Sequence, residues 1–227
     1  MPKHPFFPTD LVIPHYASPL HNTLDLLIPA FSVQVILICF GLILVVSLKP
    51  SLSNSKAASR TVFLWFLSSG FIHVFLESYF LINHQSIAGQ TTFLADLWKE
   101  YAKSDSRYMT SDPFVLIAEG ITITVLGPLC FITCLLIYRD SPSRHLLQFS
   151  ISLCHFYGCV LYFLTTLIED AKHCTPSAYY FYFYFVFMNS LWIIFPAMIM
   201  YSSGSQIVAS LALAKKEELA LTNKKRK

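Results

Sequence analysis

Five runs of apolar residues, at 27–48, 62–82, 114–138, 146–168 and 180–201, constrain this chain more than any other feature. Each is long enough, at about 20 residues, to cross about 30 Å of hydrocarbon as a helix. Of 227 residues, 55% are hydrophobic and 13% charged, more apolar surface than a water-soluble core of ordinary proportions hides. A soluble helix bundle would keep a polar face at the 3.6-residue period of each helix, and these runs lack one. The expectation is an all-α polytopic membrane protein, a five-transmembrane-helix bundle.

The loops predict its orientation. Lys49, Lys56, Arg60, Arg139, Arg144, Lys215, Lys216, Lys224, Lys225, Arg226 and Lys227 fall on one side, and Lys3, Lys99, Lys103, Arg107 and Lys172 on the other, eleven against five. The richer side, with the carboxy terminus, is expected to be cytosolic. The net charge of +3 therefore reports topology, whereas nucleic-acid binding would need a basic patch backed by a soluble fold. Residues 1–26 read as a lumenal or interfacial segment with no cleavable signal, which makes the first span the insertion signal. Residues 27–203 read as the five-span domain with a lumenal loop at 83–113, and 204–227 as a cytosolic basic tail, helical at first. Lys224 and Lys225, fourth and third from the end, have the form of an endoplasmic-reticulum retrieval signal. Within the loop, 94–103 has the period of a short amphipathic helix, either a lid on the membrane face or a solvated connector, and 104–107 reads as a turn. The connectors 49–60 and 139–144, with Pro50 and Pro142, are short, so spans one and two, and three and four, are antiparallel neighbours.

Ionisable groups inside a membrane helix are costly and mark a functional site by default. His73 and Glu77, four residues apart, share one face of the second span. Glu119 lies in the third, so two carboxyls and one imidazole are expected to converge in a hydrocarbon-walled cavity. Thr122 shares the face of Glu119, as Trp192 shares that of Asn189 in the fifth span. His155, in the fourth, reads first as an interhelical hydrogen bond. A carboxyl set against an imidazole shares a proton that it can deliver or recover, the property that general acid and base catalysis needs. Asn189 can orient a carboxyl without adding charge, and the indole face of Trp192 attracts a desolvated cation by up to about 2 kcal/mol. Such a set suits a carbocation in an apolar ligand. The eight histidines are too scattered for the histidine boxes of a di-iron enzyme, and no Gly-rich phosphate loop, HExxH or nucleophile elbow occurs. Cys130 and Cys134, one turn apart, read as small apolar fillers rather than metal ligands. Proton transfer without cofactor or metal is what remains.

These residues sit in longer motifs: GFIHVFLE at 70–77, LWKEYAKSDSRY at 97–108, EGIT at 119–122 followed by Gly127 and Pro128, LQFSISLCHFYGCVLYFL at 147–164 and FVFMNSLW at 185–192. Through them, from the HPFFP start at His4 to the fifth span, the chain resembles the emopamil-binding protein family, the sterol Δ8–Δ7 isomerases. The resemblance implies a five-span protein of the endoplasmic reticulum, of the class shared with sigma-2 receptor-like proteins. It implies an enzyme that moves a sterol double bond from carbons 8 and 9 to carbons 7 and 8 without a cofactor. It places the family's essential residues on His73, Glu77, Glu119, Thr122, Asn189 and Trp192, and its loop motif on Asp105, Arg107 and Tyr108. His155 departs from the family pattern, which has glutamine there.

The reading that follows has His73, with Glu77 as its proton partner, protonating carbon 9. The cation at carbon 8 faces Trp192 and Glu119, while Asn189 and Thr122 fix those groups. Which of His73, Glu77 and Glu119 then takes the proton from carbon 7 stays open, because coupled groups titrate as a set. Substrate binding falls to Thr122, Tyr108, Arg107 and Asp105. The sterol enters from the bilayer, and amphiphilic amines are expected to inhibit as mimics of the cation. The oligomeric state is open, a homodimer included. The alternative is a non-catalytic sterol- or amine-binding protein of the same fold.

Overall fold

The computed structural model describes residues 3–48 and 57–226, so the connector at 49–56 lies outside the described residues. Five helices are long and apolar enough to span a membrane. They are α1 (Thr23–Leu48), α2 (Ala57–Phe71, continued through Ile72–Glu77 and Ser78–Asn83), α4 (Pro113–Tyr138), α5 (Arg144–Ile168) and α6 (Tyr179–Lys225). A short helix, α3 (Phe93–Ala102), lies between the second and third. The described residues contain no strand, and the chain is the multi-pass helical membrane protein expected. The fifth helix runs on past the predicted end of its span, and from residue 208 to 226 every position is exposed.

Lipid tails are as apolar as leucine, so membrane helices associate through close packing and polar contacts instead of the hydrophobic effect. Two glycines set the seam between α2 and α4. A Cβ at Gly70 would stand 3.1 Å from Cys130 Cβ, and one at Gly127 would stand 2.7 Å from Val74 Cγ2 and 3.2 Å from His73 Cβ. Between α5 and α6, Ser203 donates to Gln148 Oε1 at 2.9 Å, and Cys159 Sγ donates to the Asn189 carbonyl at 3.2 Å. Asp112 and Pro113 show how α4 starts. The Asp112 side chain accepts from the Val115 N–H at 3.1 Å, and Pro113, lacking an N–H, costs nothing in the first turn.

Three of the spanning helices widen into π-helical segments: Ile72–Glu77 in α2, Thr122–Leu126 in α4 and Tyr179–Met188 in α6. A wider turn disturbs the regular ladder, and in hydrocarbon the freed carbonyls need another donor. Side chains stand at main-chain oxygens in or just before each segment. Trp98 Nε1 donates to Leu76 O at 3.1 Å, Thr122 Oγ1 lies 2.8 Å from Glu119 O, and Asn189 Nδ2 donates to Phe185 O at 2.8 Å. The widened turns and the polar residues singled out from the sequence are thus the same places in the chain.

Over one end of the bundle the amino-terminal segment, α3 and the 3-10 turn Ser106–Met109 form a cap. The sequence offers α3 as a lid on the membrane face or as a solvated connector; the structure shows neither. Asp96 and Lys99 are fully buried, because the amino-terminal segment folds over them. Lys99 Nζ donates to Ala17 O at 2.8 Å and to Gln90 O, with Asp96 at 3.5 Å. Asp96 Oδ2 accepts from the Leu20 N–H at 2.8 Å and the His21 N–H at 3.3 Å, and meets His21 Nδ1 at 2.8 Å. Arg107 and Asp105 pair at 2.7 Å, and Arg107 Nη2 reaches Thr166 Oγ1 on α5 at 2.5 Å. A pattern of alternating charge that suggests a wet helix is instead the polar filling between two layers of protein.

Three tests follow from this packing. Lys99→Met leaves the carbonyls of Ala17 and Gln90 without their donor, at about 1–3 kcal/mol for a buried group. It should lower the melting temperature in detergent and expose residues 3–22 to protease. Burial pulls the Asp96 carboxyl upward, but the hydrogen bonds from His21 and the Leu20 and His21 N–H groups outweigh it and hold it below its usual range. A depressed folded pKa contributes stability above the unfolded value and loses it as pH falls through the folded one. The stability deficit of Asp96→Asn should therefore be full at neutral pH and shrink on acidification below the carboxylate range. At Gly127, alanine would gain about 1 kcal/mol in helix propensity. A contact of 2.7 Å with the stiff Val74 side chain costs more, about 1–3 kcal/mol for overpacking. Gly127→Ala should lower the melting temperature.

Candidate active site

The π-helical turn of α2 presents His73 and Glu77 to α4. His73 is 2% exposed, and its Nδ1 lies 2.8 Å from both carboxyl oxygens of Glu77. Thr122 Oγ1, on α4, stands 2.7 Å from Glu77 Oε2 and 2.8 Å from the Glu119 backbone oxygen. A hydroxyl has one proton, so Thr122 donates to one of these oxygens at a time. Thr122 thus links the Glu77 carboxyl to the main chain of Glu119, the other buried carboxyl of the group. Gly127 is what lets α4 come this close, since any larger residue would press on His73 Cβ.

The cap completes the set. Tyr108, 6% exposed, donates its hydroxyl to Glu119 Oε1 at 2.7 Å. Burial, reinforced by the Glu119 charge, pushes this phenol well above its usual range, so it keeps its proton throughout the neutral region. Tyr108 stacks on Trp98 at 5.1 Å and meets Tyr101 edge-on at 5.2 Å. Tyr101 in turn hydrogen-bonds Asn189, 3.2 Å from Nδ2 and 3.3 Å from Oδ1.

His73, Glu77, Glu119, Thr122 and Tyr108 therefore form one hydrogen-bonded group drawn from α2, α4 and the cap. Asn189 joins it through Tyr101 while its amide also serves the backbone of α6, so it orients no carboxyl directly. Trp192 packs against Trp65 of α2, ring centres 5.5 Å apart, and Trp65 stacks on Phe195 at 4.7 Å. Trp65 precedes His73 by eight residues, about 12 Å along the helix axis. The indole pair thus flanks the bundle interior on the side of the carboxyls away from the cap. Both indole Nε1 atoms are buried without a hydrogen-bond partner among the described residues. The bonds of Asp105 and Arg107 run to one another and to α5 rather than to the carboxyls. A cleft of about 370 Å³ beside Cys174 and Phe181, and one of about 540 Å³ beside Gly204 and Val208, hold none of these residues.

Sequence reasoning leaves out two members, Tyr101 and Trp65. Nothing in the spacing of Trp65 separates it from the apolar residues around it, and Tyr101 is one of several aromatics in the loop. His155 is an interhelical contact as read, and the group that it contacts is His73, with Nε2 to Nε2 at 3.0 Å.

Residues 93–203 match the family EBP: EXPERA (EXPanded EBP superfamily). The chain is 36% identical over 210 residues to a 3-beta-hydroxysteroid-Delta(8),Delta(7)-isomerase of Cavia porcellus, covering 90% of this chain and 89% of that one. It is 32% identical over 225 residues to the Mus musculus protein of the same name, covering 99% and 97%. A protoglabretal synthase of Ailanthus altissima is 31% identical over 212 residues, covering 92% and 94%. Identity at this level along nearly the whole of both chains, with the motif-bearing helices inside the matched region, shows that the chain belongs to the EBP family.

Proposed function

We propose that this protein is a sterol Δ8–Δ7 isomerase of the endoplasmic-reticulum membrane, taking its sterol laterally from the bilayer. The observation that carries the reading is the contiguous group of two carboxyls, an imidazole and a threonine within the spanning helices, joined by a tyrosine of the cap, in a chain whose relatives bear that name. A proton passes from this group to carbon 9, and the electron pair of the carbon 8–9 double bond forms the new C–H bond. The tertiary cation left at carbon 8 lies toward the Trp192 face and the Glu119 carboxyl. Loss of the carbon 7 proton to the same group turns that C–H pair into the carbon 7–8 double bond. Protons balance, so no cofactor enters the equation. Tyr108 and Thr122 orient the carboxyls, and Asn189 acts through Tyr101. Asp105 and Arg107 serve substrate binding indirectly, by fastening the cap to α5. Donors aimed in advance at the developing charge, in a dry site, supply most of the acceleration. Amphiphilic amines place an ammonium where the cation forms and bind as its mimics. One chain supplies every group, so a homodimer is not needed for the chemistry.

Membranes containing the protein, incubated with a Δ8 sterol, should yield the Δ7 isomer, read by gas chromatography with mass spectrometry. Amine binding without product would instead identify a non-catalytic receptor of the same fold. Glu119→Gln should lower turnover by about 10²–10⁴, the usual worth of a positioned acid or base, and should weaken amine binding. Trp192→Leu should cost roughly tenfold or more in turnover, as a desolvated cation–π contact implies. Unchanged turnover and amine affinity in Glu119→Gln would remove that carboxyl from the mechanism.

A further inference from the structure

The proton group extends one residue beyond those the proposed reaction uses. His155 of α5 is 4% exposed, its Nε2 lies 3.0 Å from His73 Nε2, and its Nδ1 has no hydrogen-bond partner among the described residues. A hydrogen bond between two ring nitrogens contains one proton, and a neutral imidazole carries one N–H. On its other side His73 offers Nδ1 to both oxygens of Glu77 at 2.8 Å, the arrangement of an N–H shared across a carboxylate. Nε2 of His73 is then a lone pair, and the proton between the rings belongs to His155. The reverse assignment would move the His155 hydrogen to Nδ1, where no acceptor meets it, and an unpaired N–H away from water is costly.

We propose that His155 is a positioning residue that donates its Nε2–H to His73 and so locks His73 in the tautomer whose Nδ1–H holds Glu77. Both nitrogens of His73 are then engaged with protein, and the proton that reaches a ligand comes from a carboxyl, Glu77 or Glu119. His155 faces His73, with Glu77 behind it, on α2, and on its own helix Cys159 spends its thiol on the Asn189 carbonyl. The consequence for turnover rests on the isomerase reading, whereas the tautomer is a property of the protein without ligand.

The test uses the full chain in detergent, labelled with ¹⁵N-histidine. The wild-type spectrum should show His73 protonated at Nδ1 with Nε2 accepting. His155→Gln, whose amide N–H can replace the lost donor, should keep that tautomer and keep kcat within a few-fold of wild type. His155→Leu should release it and lower kcat roughly tenfold, the rate equivalent of one buried hydrogen bond. The inference fails if His73 is protonated at Nε2 in the wild type. It also fails if His155→Leu keeps the wild-type tautomer, or if His155→Gln is as impaired as His155→Leu with both folded. A wild-type protein that shows the locked tautomer but converts no Δ8 sterol would sink the isomerase reading and leave this one standing. Should His155→Leu not fold, the wild-type and His155→Gln spectra decide.

Discussion

A polar group in hydrocarbon has no water to bond with, and this constraint organises the molecule. Three spans carry widened turns, and at each a side chain serves a carbonyl: Trp98 for Leu76, Thr122 for Glu119 and Asn189 for Phe185. The same side chains, or their immediate neighbours, make up the group around Glu77 and Glu119. Backbone satisfaction and the candidate chemistry are therefore one arrangement. Replacing Thr122 or Asn189 alters both a helix and the site, so lost activity in such variants says little until stability is measured.

The cap ties this arrangement to the amino terminus. Tyr108 and Tyr101 belong to the loop between α2 and α4, yet they bond to Glu119 on α4 and Asn189 on α6. Their positions depend on Trp98 and Lys99 of α3, and Lys99 is held by carbonyls of the amino-terminal segment and residue 90. Arg107 anchors the far side of the loop to α5. Charges buried between layers in this way add less net stability than their Coulomb attraction suggests, because desolvation opposes it. Breaking one is costly all the same, since the partner stays buried. The cap is thus an integral wall of the site.

The five spans were legible because hydrocarbon imposes length and apolarity, and both are visible in composition along the chain. His73, Glu77 and Glu119 were legible for the converse reason, as ionisable groups where apolar residues prevail. What stayed hidden needed three dimensions. Asp96 and Lys99 look like residues of a wet helix because nothing local shows that residues 6–21 fold across them. Trp65 is an ordinary member of an apolar run until Trp192 is seen beside it. His155 could be read as a polar interhelical contact, but a single sequence does not say that its partner is the other buried imidazole. The widened turns carry no propensity signature of their own. They are visible only as the places where polar side chains meet main-chain oxygens.

Double-bond migration by protonation at one carbon and deprotonation at its neighbour's neighbour returns the proton that it borrows. A group performing it needs a few acceptors of closely matched strength within reach of one face of the ligand, and it needs no route to either aqueous surface. The carboxyl of Glu77, held by His73 and Thr122, and that of Glu119, held by Tyr108, have that form. Transport of protons would require the group to open toward both sides of the bundle. Here one end is closed by the cap, whose Tyr108 spends its hydroxyl on Glu119, and toward the other stand the apolar faces of Trp65, Trp192 and Phe195. A closed proton cycle is the chemistry that tolerates such sealing, and sealing in turn strengthens every electrostatic contact made with a cation inside.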